Sequence, residues 1–117
     1  RSSDLEIYRQ IMAKSIIINQ NLRYLDHNRA SLKAKYPDFE TYRKNFTVPA
    51  SLIDAIYKEA EKQKIECPKE EREQTVSRLT QMLKALIARD IWDMSEYFSI
   101  IYEDDPIVLK AIEKLSE

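Results

Sequence analysis

The side chains with the strongest potential for chemistry are a single histidine, His27, and a single cysteine, Cys67. A Ser-His or Cys-His nucleophile pair, or a multi-histidine metal site, would have to be completed with that one imidazole. Cys67 precedes a proline at a predicted helix start, where the positive end of a helix can lower the pKa of a thiol. Glu66, Glu70, Glu71 and Glu73 oppose a thiolate at this position, so we interpret Cys67 as unreactive. We interpret His27 as a surface histidine at a helix end.

Clustered carboxylates are the second feature that could do chemistry. The pair Glu70 and Glu73 and the run 103–105 supply enough oxygen atoms for a cation site. Both groups lie at predicted helix starts, where the helix dipole favours acidic side chains. A dinuclear carboxylate bundle also needs a Glu-x-x-His step, which the sequence lacks. We therefore expect neither a metal nor a cofactor. Every lysine falls on a polar face or in a charge run, so no buried lysine is expected to serve a Ser/Lys dyad.

The 117 residues include no glycine, where average usage predicts about eight. Phosphate-binding loops, dinucleotide fingerprints and nucleophile elbows rely on glycine for positive φ or for close approach of the backbone to a ligand. Two-residue hairpin turns favour glycine as well. The composition therefore argues against these catalytic elements and against an all-β fold.

The charge balance narrows the class of partner. Lys and Arg number 19 against 20 Asp and Glu, for a net charge of -1, so there is no basic field for nucleic acid. No apolar run approaches the roughly 18 residues that span a bilayer, and we predict a soluble domain without a membrane span. The chain opens at Arg1 without an initiator methionine or a signal peptide, so we interpret residues 1–117 as a single helical domain cut from a longer protein.

Helical periodicity sets out the elements that must position any site. Two apolar rows run between Leu5 and Leu25, one of them through Ile11, Ile18 and Leu22. A first helix that is apolar on two sides must be covered on both. Packing at the centre of the bundle is the favoured interpretation, and contact with another domain of a longer chain is the alternative. The run 26–28 then breaks the pattern, with Asn28 expected in the left-handed conformation that ends a helix.

Further helix starts are marked by proline and aspartate. Pro49, Pro68 and Pro106 suit the first turn of a helix, and Asp38 and Asp93 suit its N-cap. Glu96, three residues after Asp93, adds a predicted capping box. The run from Pro68 to about Trp92 should be the longest helix, and the last one should bury Val108, Ala111, Ile112 and Leu115. The whole pattern predicts an all-α fold, an irregular bundle of about six helices.

Four aromatic side chains concentrate near the end of the chain: Trp92, Tyr97, Phe98 and Tyr102. Their helical spacing favours burial in the core. Aromatic residues also concentrate binding energy at interfaces, so a surface that docks a peptide is the alternative.

Several segments resemble the C-terminal end of bacterial C-terminal processing peptidases, also called tail-specific proteases. The most distinctive is the run Leu83–Met94, which reads LKALIARDIWDM; it is followed by Tyr97-Phe98 and then by the segment 103–112, EDDPIVLKAI. The upstream matches, including Tyr36-Pro37 and the segment 46–49, FTVP, are similar to the region that follows the catalytic core of these enzymes.

The resemblance implies a parent chain that is a serine endopeptidase of the bacterial periplasm or cell envelope. A PDZ domain and a Ser/Lys peptidase core would precede this region and would be its partners, with self-association possible as well. No catalytic residue of the family matches a position in this sequence. The resemblance leads us to expect Trp92 to be a packing anchor and Arg89 to be a helix-surface or interdomain contact.

Three functions are therefore open from the sequence. The leading prediction is a non-catalytic accessory domain that packs against the protease body and shapes substrate access or self-association. The alternative is a helical adaptor that binds a peptide or a partner helix through an aromatic groove. A small metalloenzyme is the third, and it would need inward-facing carboxylates.

Overall fold

The computed structural model describes residues 2–103, 105, 107, 110–111 and 113–114. Six helices occupy this part of the chain: α1 (Ser2–Ala13), α2 (Ile16–Lys35), α3 (Phe39–Asn45), α4 (Ala50–Lys62), α5 (Lys69–Ile91) and α6 (Met94–Ile101). No strand occurs among these residues, so the predicted all-α bundle of about six helices is confirmed.

The first apolar stretch is divided between two helices. Ser15 adopts φ 59° and ψ 23°, a left-handed conformation that ends α1 and starts α2 on a new axis. Ile11, Ile16 and Ile17 are all buried. A straight helix would point these three side chains in widely different directions, since successive residues are about 100° apart. The break allows both helices to bury them in one core.

The expected interruption at 26–28 is wrong. Asn28 lies inside α2, and its side-chain amide donates to the carbonyl oxygen of Tyr24 at 2.8 Å. Leu25 before it and Leu32 after it are both buried. These two anchors hold the helix against the core on either side of the polar residues, so tertiary packing decides its length.

Local signals correctly predict where the next elements begin. Tyr36, before Pro37, leaves helical geometry at φ -122° and ψ 82°. The Asp38 carboxylate then accepts a hydrogen bond from the Thr41 backbone N–H at 2.8 Å and caps α3. Asp93 likewise accepts from the Met94 N–H at 2.7 Å. The predicted capping box does not form, because the Glu96 carboxylate accepts from the Ser95 hydroxyl instead.

Helix α5 is the longest of the described helices, at 23 residues, and it contacts α1, α2, α4 and α6. Pro49 and Pro68 stand immediately before α4 and α5, as their sequence positions predict. Leu79, Leu83 and Ile87 have no exposed surface, so α5 forms the centre of the core.

Five aromatic rings link α3 to the ends of α2 and α5: Tyr36, Phe39, Tyr42, Phe46 and Trp92. Tyr42 is fully buried, and its ring stacks on that of Phe46 with centroids 4.8 Å apart. Such pairs contribute about 0.5–1.5 kcal/mol beyond the burial of their area. This aromatic cluster fixes the short helix α3.

The structure describes only some of the residues that follow Pro106. Of the stripe predicted after Pro106, Val108, Ile112 and Leu115 lie outside the described residues, and Ala111, which was predicted to be buried, is exposed. Within the described chain, none of the helices has the length and apolar character required to cross a bilayer.

Candidate interaction surfaces

The residues predicted as interface or packing anchors divide into two groups. Ile11 is fully buried and belongs to the packing residues, whereas Ile18 and Leu22, which the apolar row places on the same side as Ile11, are partly exposed. The break at Ser15 separates Ile11 from the other two residues and rotates it into the core. Ile11 is a packing residue.

Ile18 and Leu22 lie on the solvent side of α2, four residues apart, and are 42% and 47% exposed. Residues at this spacing are neighbours on one helix face. The two side chains form an apolar pair, the α2 pair, next to the exposed polar residues Asn19 and Arg23. Among the members of the two predicted apolar rows whose burial is described, Ile18 and Leu22 are the exposed ones.

Trp92 is half-buried, and its ring meets Phe39 at 5.7 Å and Tyr42 at 5.3 Å between centroids. Its ring packs where α3 meets the end of α5. Arg89, one turn earlier in α5, is exposed and takes no part in this cluster. Its role as a helix-surface or interdomain contact stays a prediction.

The aromatic side chains of α6 face in two directions. Tyr97 is half-buried, and its hydroxyl lies 3.8 Å from the sulfur of Met82 in α5. Phe98 is 36% exposed, with Met94 and Tyr102 at 42% and 38% on the same side of the helix. We call these three residues the α6 face. Tyr97 therefore contributes to packing, and a docking role for the exposed aromatic residues stays a prediction.

A half-buried lysine is a feature that the sequence analysis missed. The Lys84 ammonium donates to the carbonyl oxygen of Arg43 at 2.7 Å, and the Tyr42 hydroxyl donates to the carbonyl oxygen of Lys84 at 2.6 Å. Burial lowers the pKa of Lys84, while the charge of Glu103 acts in the opposite direction. The expectation that every lysine lies on a polar face fails here. The half-buried position of Lys84 depends on its contact with α3, which the local sequence does not indicate.

Lys84 borders an open cleft of about 530 Å³, which Ser77, Thr80, Gln81, Ile100 and Glu103 also line. Within the described residues, no hydrogen bond joins Lys84 to Ser77 or Thr80, because its ammonium is used at the end of α3. Gln81 similarly donates to the carbonyl oxygens of Ile100 and Ile101 at the end of α6. Both side chains donate to carbonyl groups at helix ends, where the regular intrahelical hydrogen bonds run out.

Neither the thiol nor the imidazole is arranged for chemistry. Cys67 is buried, its sulfur lies 3.7 Å from the carbonyl oxygen of Ile65, and burial raises the pKa of the thiol. A raised pKa disfavours the nucleophilic thiolate. His27 is exposed, with Nδ1 3.0 Å from the carbonyl oxygen of Arg23. Among the described side chains, no group of three or more His, Cys, Asp and Glu residues is suited to hold a metal ion.

Comparison with protein families gives one match, which covers residues 7–93 and hence most of the chain. The chain belongs to DUF8443, a family of unknown function. No curated protein and no solved structure matches it. The DUF8443 region includes the α2 pair, Arg89 and Trp92, and it ends at Asp93, the N-cap of α6. The family match therefore covers most of the helical core and assigns no function to it.

Proposed function

We propose that this member of DUF8443 is the non-catalytic C-terminal helical domain of a tail-specific serine protease of the bacterial envelope. In this proposal it packs against the peptidase body of its parent chain and helps to shape access of substrates. The resemblance of the segment from Leu83 to Met94 supplies the class of parent. The observation that carries the contact role is the exposed α2 pair of Ile18 and Leu22.

The α2 pair supports a contact role because of where it lies. Helix α2 packs against α1, α4 and α5 on its buried side, so its apolar requirement within the bundle is already met. Ile18 and Leu22 add an outward apolar surface that the bundle does not need. Full burial of one such side chain contributes about 1.5–3 kcal/mol, and these two are 42% and 47% exposed, so covering both would contribute roughly 1–3 kcal/mol to an interdomain contact.

The proposal is tested by mixing. The 117-residue chain and the remainder of its parent are purified separately, and multi-angle light scattering measures whether they form a complex. We expect a complex that the double substitution Ile18→Ser and Leu22→Ser weakens by about tenfold or more. Because both residues are on the surface, circular dichroism of the variant should match that of the unsubstituted chain.

A matched control is Met94→Ser, which removes an exposed apolar side chain from a different helix and should leave the complex intact. A chain that stays monomeric and ignores its parent contradicts the proposal. The coding sequence immediately upstream of Arg1 provides an independent test, since a Ser/Lys peptidase core is expected there.

A further inference from the structure

The α6 face is a second outward apolar surface, on the opposite end of the sequence from the α2 pair. Met94, Phe98 and Tyr102 follow one another at intervals of four residues, so they line one side of the helix and its last turn. Their opposite side, which includes Ile100, is buried against α5. No described element covers the α6 face.

The rings of this face are held in place before any partner binds. Phe98 packs edge-on against Tyr97 at 5.2 Å and stacks with Tyr102 at 6.1 Å between centroids. Fixed aromatic side chains lose little conformational freedom on binding, which lowers the entropic cost of association.

Two serines, Ser95 and Ser99, lie on α6 next to the residues of this face in sequence. The Ser99 hydroxyl donates to the Ser95 carbonyl oxygen, and the Ser95 hydroxyl donates to the Glu96 carboxylate, both at 3.0 Å. Their polar groups are therefore already satisfied. An apolar side chain could cover them without leaving a buried hydroxyl unpaired.

The segment that carries the α6 face is acidic. From Asp90 to Asp105 the sequence contains six acidic residues and no Lys or Arg. Glu103 lies near the cations of Lys84 and Arg43. At the other end of α6, the described structure shows no ion pair to Asp93 or Glu96. An uncompensated acidic edge beside an apolar centre favours a basic partner.

We propose that the α6 face binds a basic amphipathic helix of a partner protein, with apolar side chains four residues apart and Lys or Arg beside them. The apolar side chains would cover Phe98 and the two serines, and the basic ones would lie near Asp93 and Glu96. A second copy of the same face is disfavoured, because it would bring carboxylates against carboxylates. This proposal does not depend on the peptidase relationship.

The test uses a synthetic amphipathic peptide that carries leucines on one helical face and lysines on the other, labelled for fluorescence anisotropy. Its control is the same peptide with glutamate in place of each lysine. We expect the lysine peptide to bind the 117-residue chain at least about tenfold more tightly than the control. Raising the salt from about 50 mM to about 500 mM should weaken the binding, because screening reduces the charge attraction.

Variants locate the binding site. Phe98→Ser should weaken binding by about tenfold, and Met94→Ser by a smaller factor. Ile18→Ser, on the α2 pair, should leave binding unchanged, which separates this surface from the one in the proposed function. Backbone amide shifts in NMR spectra should move at Ser95 and Ser99 when the lysine peptide is added.

Each contrary result has a distinct meaning. Equal binding of the two peptides, or binding that Phe98→Ser leaves unchanged, overturns the proposal. Sedimentation of the chain alone identifies the other occupant: self-association that Phe98→Ser abolishes would assign the α6 face to a second copy and would also overturn it. The light-scattering result for the parent complex is independent of all these outcomes.

Discussion

Tyr42 shows how one side chain can hold two helices together. Its ring is buried in the aromatic cluster, and its hydroxyl donates to the Lys84 carbonyl oxygen of α5 at 2.6 Å. The Lys84 ammonium in turn donates to the carbonyl oxygen of Arg43 in α3. The two hydrogen bonds run in opposite directions between the same pair of helices, so α3 is held by polar as well as apolar contacts.

We predict that Tyr42→Phe lowers the free energy of unfolding by about 1–2 kcal/mol, because it removes one buried hydrogen bond and keeps the ring. Urea denaturation followed by circular dichroism measures the change. Tyr24→Phe is the matched control, since Tyr24 is half-buried and its hydroxyl makes no hydrogen bond within the described chain. Its effect should stay within about 0.5 kcal/mol. Equal losses in the two variants would show that the Tyr42 hydroxyl has no special role.

Buried tyrosines also predict a loss of stability at alkaline pH. Burial raises the pKa of Tyr57 to about 12, and it raises that of Tyr42 further. Above pH 10 the unfolded chain releases these protons while the folded chain keeps them, so the folded state binds more protons and stability falls as pH rises. Below the ordinary tyrosine pKa of 10.0 the contribution is fully present.

The measurement is the free energy of unfolding in urea between about pH 9 and about pH 12. Tyr57→Phe should make the decline with pH less steep than in the unsubstituted chain. Burial lowers the pKa of Lys84, which contributes a change of opposite sign as pH rises towards 10.5, so all variants keep Lys84. A slope that Tyr57→Phe does not alter would contradict the assignment.

At the scale of the helices, the sequence predicts what local chemistry determines. The starts at Asp38, Pro49, Pro68 and Asp93 depend on a cap or a proline within a few residues, and they are confirmed. The break at Ser15 has no such signal. Serine is an ordinary surface residue, and its left-handed conformation follows from where the two helices pack.

The left-handed conformation of Ser15 predicts that glycine changes the free energy of unfolding in opposite directions at two positions of the chain. Ser15→Gly should raise the free energy of unfolding by up to about 1 kcal/mol, because glycine adopts positive φ without the steric cost that serine pays. Ser31→Gly, at an exposed position inside α2, should lower it by roughly 0.5–1 kcal/mol. Thermal melting of both variants provides the comparison, and a loss of stability in Ser15→Gly would contradict the role of the backbone break.

The candidate surfaces, like the helix ends, could be predicted only where the local sequence determines them. Periodicity places Ile18, Leu22 and the α6 aromatics on helices, and the ring of Trp92 packs against Phe39 and Tyr42. The sequence could not separate Ile11 from Ile18 and Leu22, because the break at Ser15 divides them between two helices. Lys84 was missed because its environment comes from α3, which is about forty residues away in sequence.

The whole molecule extends beyond the family region. The DUF8443 match ends at Asp93, yet α6 covers α5 through Ile100, which is 1% exposed, and through Tyr97 against Met82. Helix α6 therefore contributes to the core, although the family region ends just before this helix.

We predict that a chain ending at Asp93 is less stable than the whole chain by several kcal/mol, because the apolar surface of α5 under α6 becomes exposed. In the whole chain, Ile100→Ala alone should lower the free energy of unfolding by about 2–4 kcal/mol, since it leaves a cavity at a fully packed site. Denaturant titrations measure both changes. A truncated chain as stable as the whole would show that α6 does not contribute to the stability of the bundle.

The position of Trp92 makes the molecule its own optical probe. The chain contains one tryptophan, and its indole ring lies against Phe39 at the start of α3 and against Tyr42 within that helix. Detachment of α3 would bring water to the indole and shift its emission to the red, whereas movement confined to α4 would leave the spectrum unchanged. The docking of a seven-residue helix can thus be followed in time without attaching any dye.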